Sequence, residues 1–518
     1  MRSVRWRRAQ TTILSAVTLL VLGAGLWLGA AATRSDDLFK ATAPPAAPAD
    51  PFTLYATVDA GPSGAPLPTG FLGLSLEYSA LEAYTGASAS ALDPVFVQLL
   101  RNLGGPGAAP SLRIGGNSTD ATWWPVPGMS RPRGITYALT PGWLSSARAL
   151  AAALGAKLIL GVNLAAGRPK LSAAEATALI QGIGAGSVAA LELGNEPDVY
   201  AVFPWYRAHR RPVFARGSGY SLNAFIREVR QTVPRLPAVP MAGPAAAELP
   251  WLSGIPTLLA AEPGLRVVTV HRYPIQGCLK NRASPSYPSI ANLLNDRSSA
   301  GMAQALAPYV ALAHARGLQF RVDELNSAAL AHCLGRTGVS DTFASALWML
   351  DTLFSMANVG VDGVNIHSLP GAAYELFTFR RGPAGWQAFV RPDYYGMLLF
   401  AQAFPPGARL LPVHAPGARV KVWATQDSAG RTRVVLINKD SRAHRVELQL
   451  PPAPGQAELE WLRAPGPAAS SGVTLGGQTF GPETSTGVLG APAATPVSQL
   501  LGWYSVDIPA YSAALLTR

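Results

Sequence analysis

Two glutamates have the placement that chemistry asks for. Glu196 lies in LELGNEPDVY, Leu191 to Tyr200, where an apolar run stops at Asn195-Glu196-Pro197. The proline cannot donate to a sheet ladder and biases Glu196 away from helix, so a carboxylate is left at a strand's C-terminal tip. Glu324 sits the same way at the end of QFRVDE, before Leu-Asn-Ser. In a parallel α/β barrel that rim carries the sites, while the opposite rim serves stability. Two carboxyl groups about 5 to 5.5 Å apart suit glycosidic bond cleavage by double displacement, one protonated to assist the leaving oxygen and one ionised to attack carbon.

The elements that must position them recur along the chain. Eight apolar runs end in a polar or glycine tip: LGLSLE at Glu77, SLRIGG near Gly116, KLILGVN at Asn163, VAALELG leading to Glu196, AVPMAG at Gly243, RVVTVH at His271, QFRVDE at Glu324 and DGVNIH at His367. Helix-like segments alternate with them, at Pro141 to Leu154, Ser172 to Ile183, Ser221 to Val233, Ile290 to Arg316 and Ser340 to Met356. Such alternation predicts parallel βαβ units, and eight of them predict closure into a barrel with Glu196 on the fourth strand and Glu324 on the seventh. After about Gly407 the helical period gives way to short alternating segments between Gly/Pro/Ser/Asn turns, the pattern of an antiparallel β-sandwich.

The expected fold is therefore α/β, a (β/α)8 TIM barrel (69–404) with a C-terminal antiparallel β-sandwich (405–518). An N-terminal strand in 52–68, FTLYATVDA, is expected to join a distant sheet, the sandwich. Residues 35–51 are rich in proline and alanine and read as a linker. In 1–34, Arg2, Arg5, Arg7 and Arg8 precede an uncharged apolar run over 9–33, which predicts either an export signal cleaved near Ala30-Ala31-Ala32 or a retained membrane anchor. Both put the barrel outside the cytoplasm, secreted or tethered.

At 518 residues, 49% hydrophobic and 14% charged, the chain has a large core and no bulk disorder. Its net charge of +12 is scattered, without a basic stripe or nucleic-acid motif, so no nucleic-acid partner is expected. Of its two cysteines, Cys278 and Cys333, sequence leaves open whether they form a disulfide or remain buried thiols. Glu192 shares strand parity with Glu196 and is expected to pair inside the barrel with an arginine such as Arg113. Asp323 should face away from Glu324 as a framework residue. His271 and His367 lack a ligand-like partner spacing and are expected to hydrogen-bond at the rim, so no metal or cofactor is implied. Trp123-Trp124 suits sugar stacking or packing equally, and Trp461 and Trp503 read as core or interface rings.

In order, the motifs GLSLE, LRIGGNSTD, LELGNEPD, VTVHRYP, DELNS and GVSDTFASALW resemble the retaining (β/α)8-clan glycoside hydrolases, in the group of heparanase and bacterial β-glucuronidases. The resemblance covers about Phe52 to the C-terminus. It implies Glu196 as acid/base, Glu324 as nucleophile, Asn195 toward the sugar 2-hydroxyl and Tyr273 donating to Glu324. It further implies that Glu77, Asn117 and the Gly371-Ala372-Ala373-Tyr374 loop line a pocket in which Tyr374 and backbone amides hold a uronate. The implied partner is a uronic-acid-containing glycan and the implied activity that of a β-glucuronidase. A neutral-sugar β-glycosidase (glucoside, xyloside or arabinofuranoside) and a non-catalytic carbohydrate-binding protein are the other readings. The chain departs from heparanase in carrying Ala328-Ala329-Leu330-Ala331-His332-Cys333 in place of a glycine-rich run, and Glu77 in place of an aspartate. Exo or endo action and oligomeric state have no signature in the sequence.

Overall fold

The computed structural model describes residues 53–105, 107–329, 338–415, 420–453 and 456–518. The expected signal or anchor (1–34), the linker (35–51), the first residue of the N-terminal strand segment and Cys333 lie outside these residues. No cysteine among the described residues is free.

After an N-terminal strand β1 (Thr53–Val58), eight strands form a closed parallel barrel: β2 (Leu72–Glu77), β3 (Ser111–Gly115), β4 (Leu158–Val162), β5 (Val188–Leu193), β6 (Met241–Ala246), β7 (Leu265–Arg272), β8 (Gln319–Leu325) and β9 (Gly363–Ser368). Each strand bonds to its successor, and β9 closes on β2 with Ser75 opposite His367. The runs are apolar throughout because a parallel strand under helices is buried on both faces; every residue of β2, β4, β6 and β9 is buried. Helices start where the chain offers caps. Thr140 accepts the N–H of Trp143 at 3.0 Å ahead of Pro141–Leu154, and Gly155 ends that helix in the left-handed region at φ 64°.

One expected helix is corrected. Ile290 to Arg316 is not continuous but breaks into Ile290–Leu294, a 3-10 turn at Asp296–Ser298, Ala300–Gln304 and Ala307–His314. The break has a local cause: Asn295 is extended at ψ 143° and its side chain accepts the N–H of Arg297 at 3.0 Å, an alternative to helical bonding that Asn, Asp and Ser favour. The break also frees the Asp296 carboxylate, which takes Lys421 at 2.6 Å and Lys439 at 2.8 Å from the C-terminal sheets.

The C-terminal region has a four-stranded sheet (Val413–His414, β1, His444–Gln449, Trp503–Ile508) and a seven-stranded sheet. Ala56, Val446, Val506, Leu436 and Leu516 pack between them as one core. β1 enters the smaller sheet and lies parallel to His444–Gln449, a parallel pair inside an otherwise antiparallel sandwich. The run RLLPVHA divides at Pro412, which has no N–H, so that Arg409–Leu411 pairs in one sheet and Val413–His414 in the other. Val435, Ile437, Ala513 and Leu515 on the opposite face of the larger sheet pack into the barrel core, so barrel and sandwich share a hydrophobic seam. Trp503 meets Tyr55 edge-on at 5.8 Å, and Arg463 covers Trp461 at 4.0 Å.

Candidate active site

Glu196 follows β5 in the left-handed region, at φ 49° and ψ 54°. This costly backbone is held by its N–H bond to Ala245 O at 3.0 Å, and such strain collects where a side chain must be aimed. Its carboxylate Oε1 lies 2.9 Å from His271 Nδ1. Glu324, near the end of β8, is held at both oxygens: Tyr273 donates to Oε1 at 2.8 Å and Arg113 Nη1 to Oε2 at 2.6 Å. An oxygen of Glu196 and one of Glu324 approach within 4.8 Å of each other, with His271 Nδ1 2.9 Å from Glu196 and 3.8 Å from Glu324.

Arg113, wholly buried at the centre of the barrel, organises the site. Besides Glu324 it bonds Glu192 Oε2 through Nε at 3.0 Å, Ser75 Oγ through Nη1 at 3.2 Å and Asn195 Oδ1 through Nη2 at 2.9 Å. With its oxygen taken, the Asn195 side chain presents its NH2 group outward, 3.4 Å from Asn117 Oδ1. The expected pairing of Glu192 with Arg113 is observed. The expectation for Asp323 is corrected: its Oδ2 lies 3.4 Å from the same guanidinium that holds Glu324. Strict alternation fails there because the β8 ladder is irregular toward both neighbours, between Val270 and His271 on β7 and between Val322 and Leu325 on its own strand.

These charges set the protonation states. Burial would raise the Glu324 carboxyl, but the facing His367, His271 and Arg113 and the Tyr273 hydroxyl outweigh it and hold the group well below the usual carboxylate range. Burial disfavours a charged His271, yet Glu324, Glu196 and Asp323 around it push the imidazole up to about 9. Burial and the neighbouring Glu192 push the Asp323 carboxyl up, while Arg113 beside Glu192 outweighs burial and holds the Glu192 carboxyl below its usual range. The clusters Glu192-His271-Asp323 and Glu196-His271-Glu324 have the spacing of cation sites, but Arg113 and a protonated His271 already supply their positive charge.

The other expected residues converge on the same cavity, about 1020 Å³, which is lined by Glu77, Asn117, Asn195, Glu196, Tyr273, Glu324 and Tyr374. Glu77 accepts the N–H of Asn117 at 3.0 Å and of Ser118 at 2.7 Å, so it clasps the turn that carries Asn117. The Tyr374 ring lies 6.1 Å from that of Tyr273, whose hydroxyl donates to Glu324. In its loop the Gly371 N–H is already given to Glu375 at 3.0 Å and that of Ala372 to Leu369 O at 3.0 Å. Of that loop, Tyr374 alone lines the cavity. Trp123 is buried and packs with Ile135 and Leu171. Cys278 does not line the cavity.

Asp120 escaped sequence reasoning. Its carboxylate accepts Leu164, Ala165 and Asn195 N–H groups and the Tyr200 hydroxyl, tying the tips of β4 and β5 together. The NSTD motif contained it, but nothing local marked it as a hub. Arg272 and Trp205 also line the cavity and were not foreseen.

A parallel eight-stranded barrel with two close carboxylates at its C-terminal rim, one held ionised, is the equipment of a glycoside hydrolase. Residues 422–515 match the glycosyl hydrolase family 79 C-terminal beta domain. A β-glucuronidase of Neurospora crassa is 23% identical, with 74% of each chain covered. Among solved structures, a 4-O-α-L-rhamnosyl-β-D-glucuronidase of Fusarium oxysporum superposes with a TM-score of 0.71 at 20% identity, covering 89% of this chain and 100% of that one. A GH51 arabinofuranosidase of Xanthomonas axonopodis pv. citri shares the fold at a TM-score of 0.64 and 17% identity, covering 90% of this chain and 99% of that one. The chain thus carries the family 79 C-terminal beta domain over 422–515, is similar in sequence to a β-glucuronidase over 74% of its length, and has the fold of (β/α)8 glycoside hydrolases.

Proposed function

We propose that this chain is a retaining β-glucuronidase, with Glu324 as nucleophile and Glu196 as acid/base. The observation that carries the stereochemistry is the approach of their oxygens to within 4.8 Å, which suits direct attack; an inverting pair stands about 6.5–9.5 Å apart to admit a water. Glu324 attacks the anomeric carbon as the glycosidic C–O bond breaks, and Glu196 gives its proton to the departing oxygen. Glu196 then removes a proton from water, whose oxygen displaces Glu324 and restores both carboxyl groups. Tyr273 and Arg113 hold Glu324 in line, and the fixed amide of Asn195 is oriented to donate to the sugar 2-hydroxyl. The sugar assignment is supported by the likeness to the β-glucuronidase of Neurospora crassa and by Tyr374 in the cavity wall. The substrate is a glucuronic-acid-containing glycan outside the cytoplasm, with 1–34 as export signal or tether.

The test is hydrolysis of an aryl β-D-glucuronide beside the matching glucoside and xyloside, with Glu324→Gln as the blank and proton NMR of the first sugar released. Selective glucuronide cleavage giving the β-anomer first, lost in Glu324→Gln, is expected. An α-anomer overturns retention, preference for another glycoside overturns the sugar, and an active Glu324→Gln overturns the nucleophile.

A further inference from the structure

We propose that Arg272 is a specificity residue that binds an anionic group, carboxylate or sulfate, on the aglycone of the substrate. This rests on the reading of the site as a glycosidase and deepens it. Arg272 ends β7 directly after His271 and lines the catalytic cavity. Its guanidinium makes no hydrogen bond or ion pair with any described residue, and its Nε is buried with no partner. The contrast with the neighbouring arginines is plain: the buried Arg113 beneath the cavity is spent on Glu192, Glu324 and Asn195, and Arg297 on the cavity wall gives Nη2 to Ser286 at 3.0 Å. The buried Nε has lost water without gaining a partner, and a ligand that brings an anion to this guanidinium restores the bond. Burial accordingly lowers the Arg272 pKa, with only the charge of Glu248 acting against it.

The placement selects the aglycone over the reacting sugar. Glu248 also lines the cavity, and its N–H is given to Asp198 at 2.6 Å, two residues past Glu196. The charge acting on Arg272 is that of Glu248, beside it on the cavity wall. Both therefore stand on the side of the acid/base, where the leaving oxygen and what it carries must lie. Tyr374, which would meet the sugar's own carboxylate, joins the Tyr273 and Glu324 side instead. A planar guanidinium takes a carboxylate or sulfate through two parallel N–H bonds.

The experiment compares aryl β-glucuronides whose phenyl ring bears a neutral acetyl, a carboxylate or a sulfonate group, using the native enzyme, Arg272→Gln and Arg272→Lys. The variant-to-native ratio of kcat/KM for each substrate cancels leaving-group reactivity. Arg272→Gln should lose about 10-fold more on the anionic substrates than on the neutral one, chiefly in KM, and Arg272→Lys should recover part of it. Whether carboxylate or sulfonate suffers more tells the two anions apart. An equal loss on all three substrates, or a loss in kcat alone, overturns the proposal. If another glycoside is the substrate, the sugar reading fails and the same ratio is read on that glycoside's aryl series. If none is cleaved, calorimetric titration of 4-carboxyphenyl β-glucuronide into native protein and Arg272→Gln decides it, and equal affinity overturns the proposal.

Discussion

Arg113 Nη1 donates to Glu324 Oε2 at 2.6 Å while Nε of the same guanidinium reaches Glu192 at 3.0 Å. One buried cation is thus shared by the proposed nucleophile and a framework carboxylate. Arg113→Met should leave both carboxylates buried without their partner, at a cost of about 3–5 kcal/mol, read as a fall in melting temperature. Arg113→Lys keeps the charge but cannot span Glu192, Asn195 and Glu324 at once. It should fold and lose at least about 10-fold in kcat; full activity in that variant would show that the fork geometry is irrelevant.

Tyr273→Phe removes the donor to Glu324 Oε1. A hydrogen bond to a charged group is worth about 1.5–3 kcal/mol, so kcat should drop about 10- to 100-fold. The donor also holds the Glu324 carboxyl down, so the acid limb of the pH profile should move upward. A profile that drops in height without shifting would assign Tyr273 to substrate contact alone.

His271 is raised to about 9 in the folded protein, against about 6.5 for a free imidazole. A raised cationic group stabilises the fold fully below its unfolded pKa, and that contribution is lost as pH climbs through the folded value. Thermal stability should therefore decline between about pH 6.5 and 9. His271→Gln should show a flatter profile over that window, measured by melting at fixed ionic strength. Parallel profiles would mean that His271 is not charged.

Gly116 has φ +73°, and a Cβ there would lie 2.5 Å from Glu77 Oε1. Gly116→Ala should push Glu77 off the amides of Asn117 and Ser118 and misplace Asn117 at the pocket wall. Raised KM with a near-native melt is expected; unchanged kinetics would show that the clasp is dispensable.

The strands and their carboxylate tips were legible in the sequence because their signals are local. An apolar run closed by Asn-Glu-Pro or Asp-Glu reads the same before and after folding, and β5 and β8 lead to Glu196 and Glu324 as the pattern indicates. The alternation of strand and helix likewise declares the barrel. What surrounds those tips depends on residues far apart along the chain. Arg113 meets Glu324 across 211 positions and Glu192 across 79, so its place at the centre follows only from closure of the barrel. The side of β8 on which Asp323 lies was set by ladder irregularities with its neighbours, which no strand carries alone. The long helix after Ile290 yielded to side-chain bonds at Asn295 and to the pull of Lys421 and Lys439 on Asp296. That Arg272 is left unpaired in the cavity was decided the same way, since a missing partner can be known only once every other residue has its place.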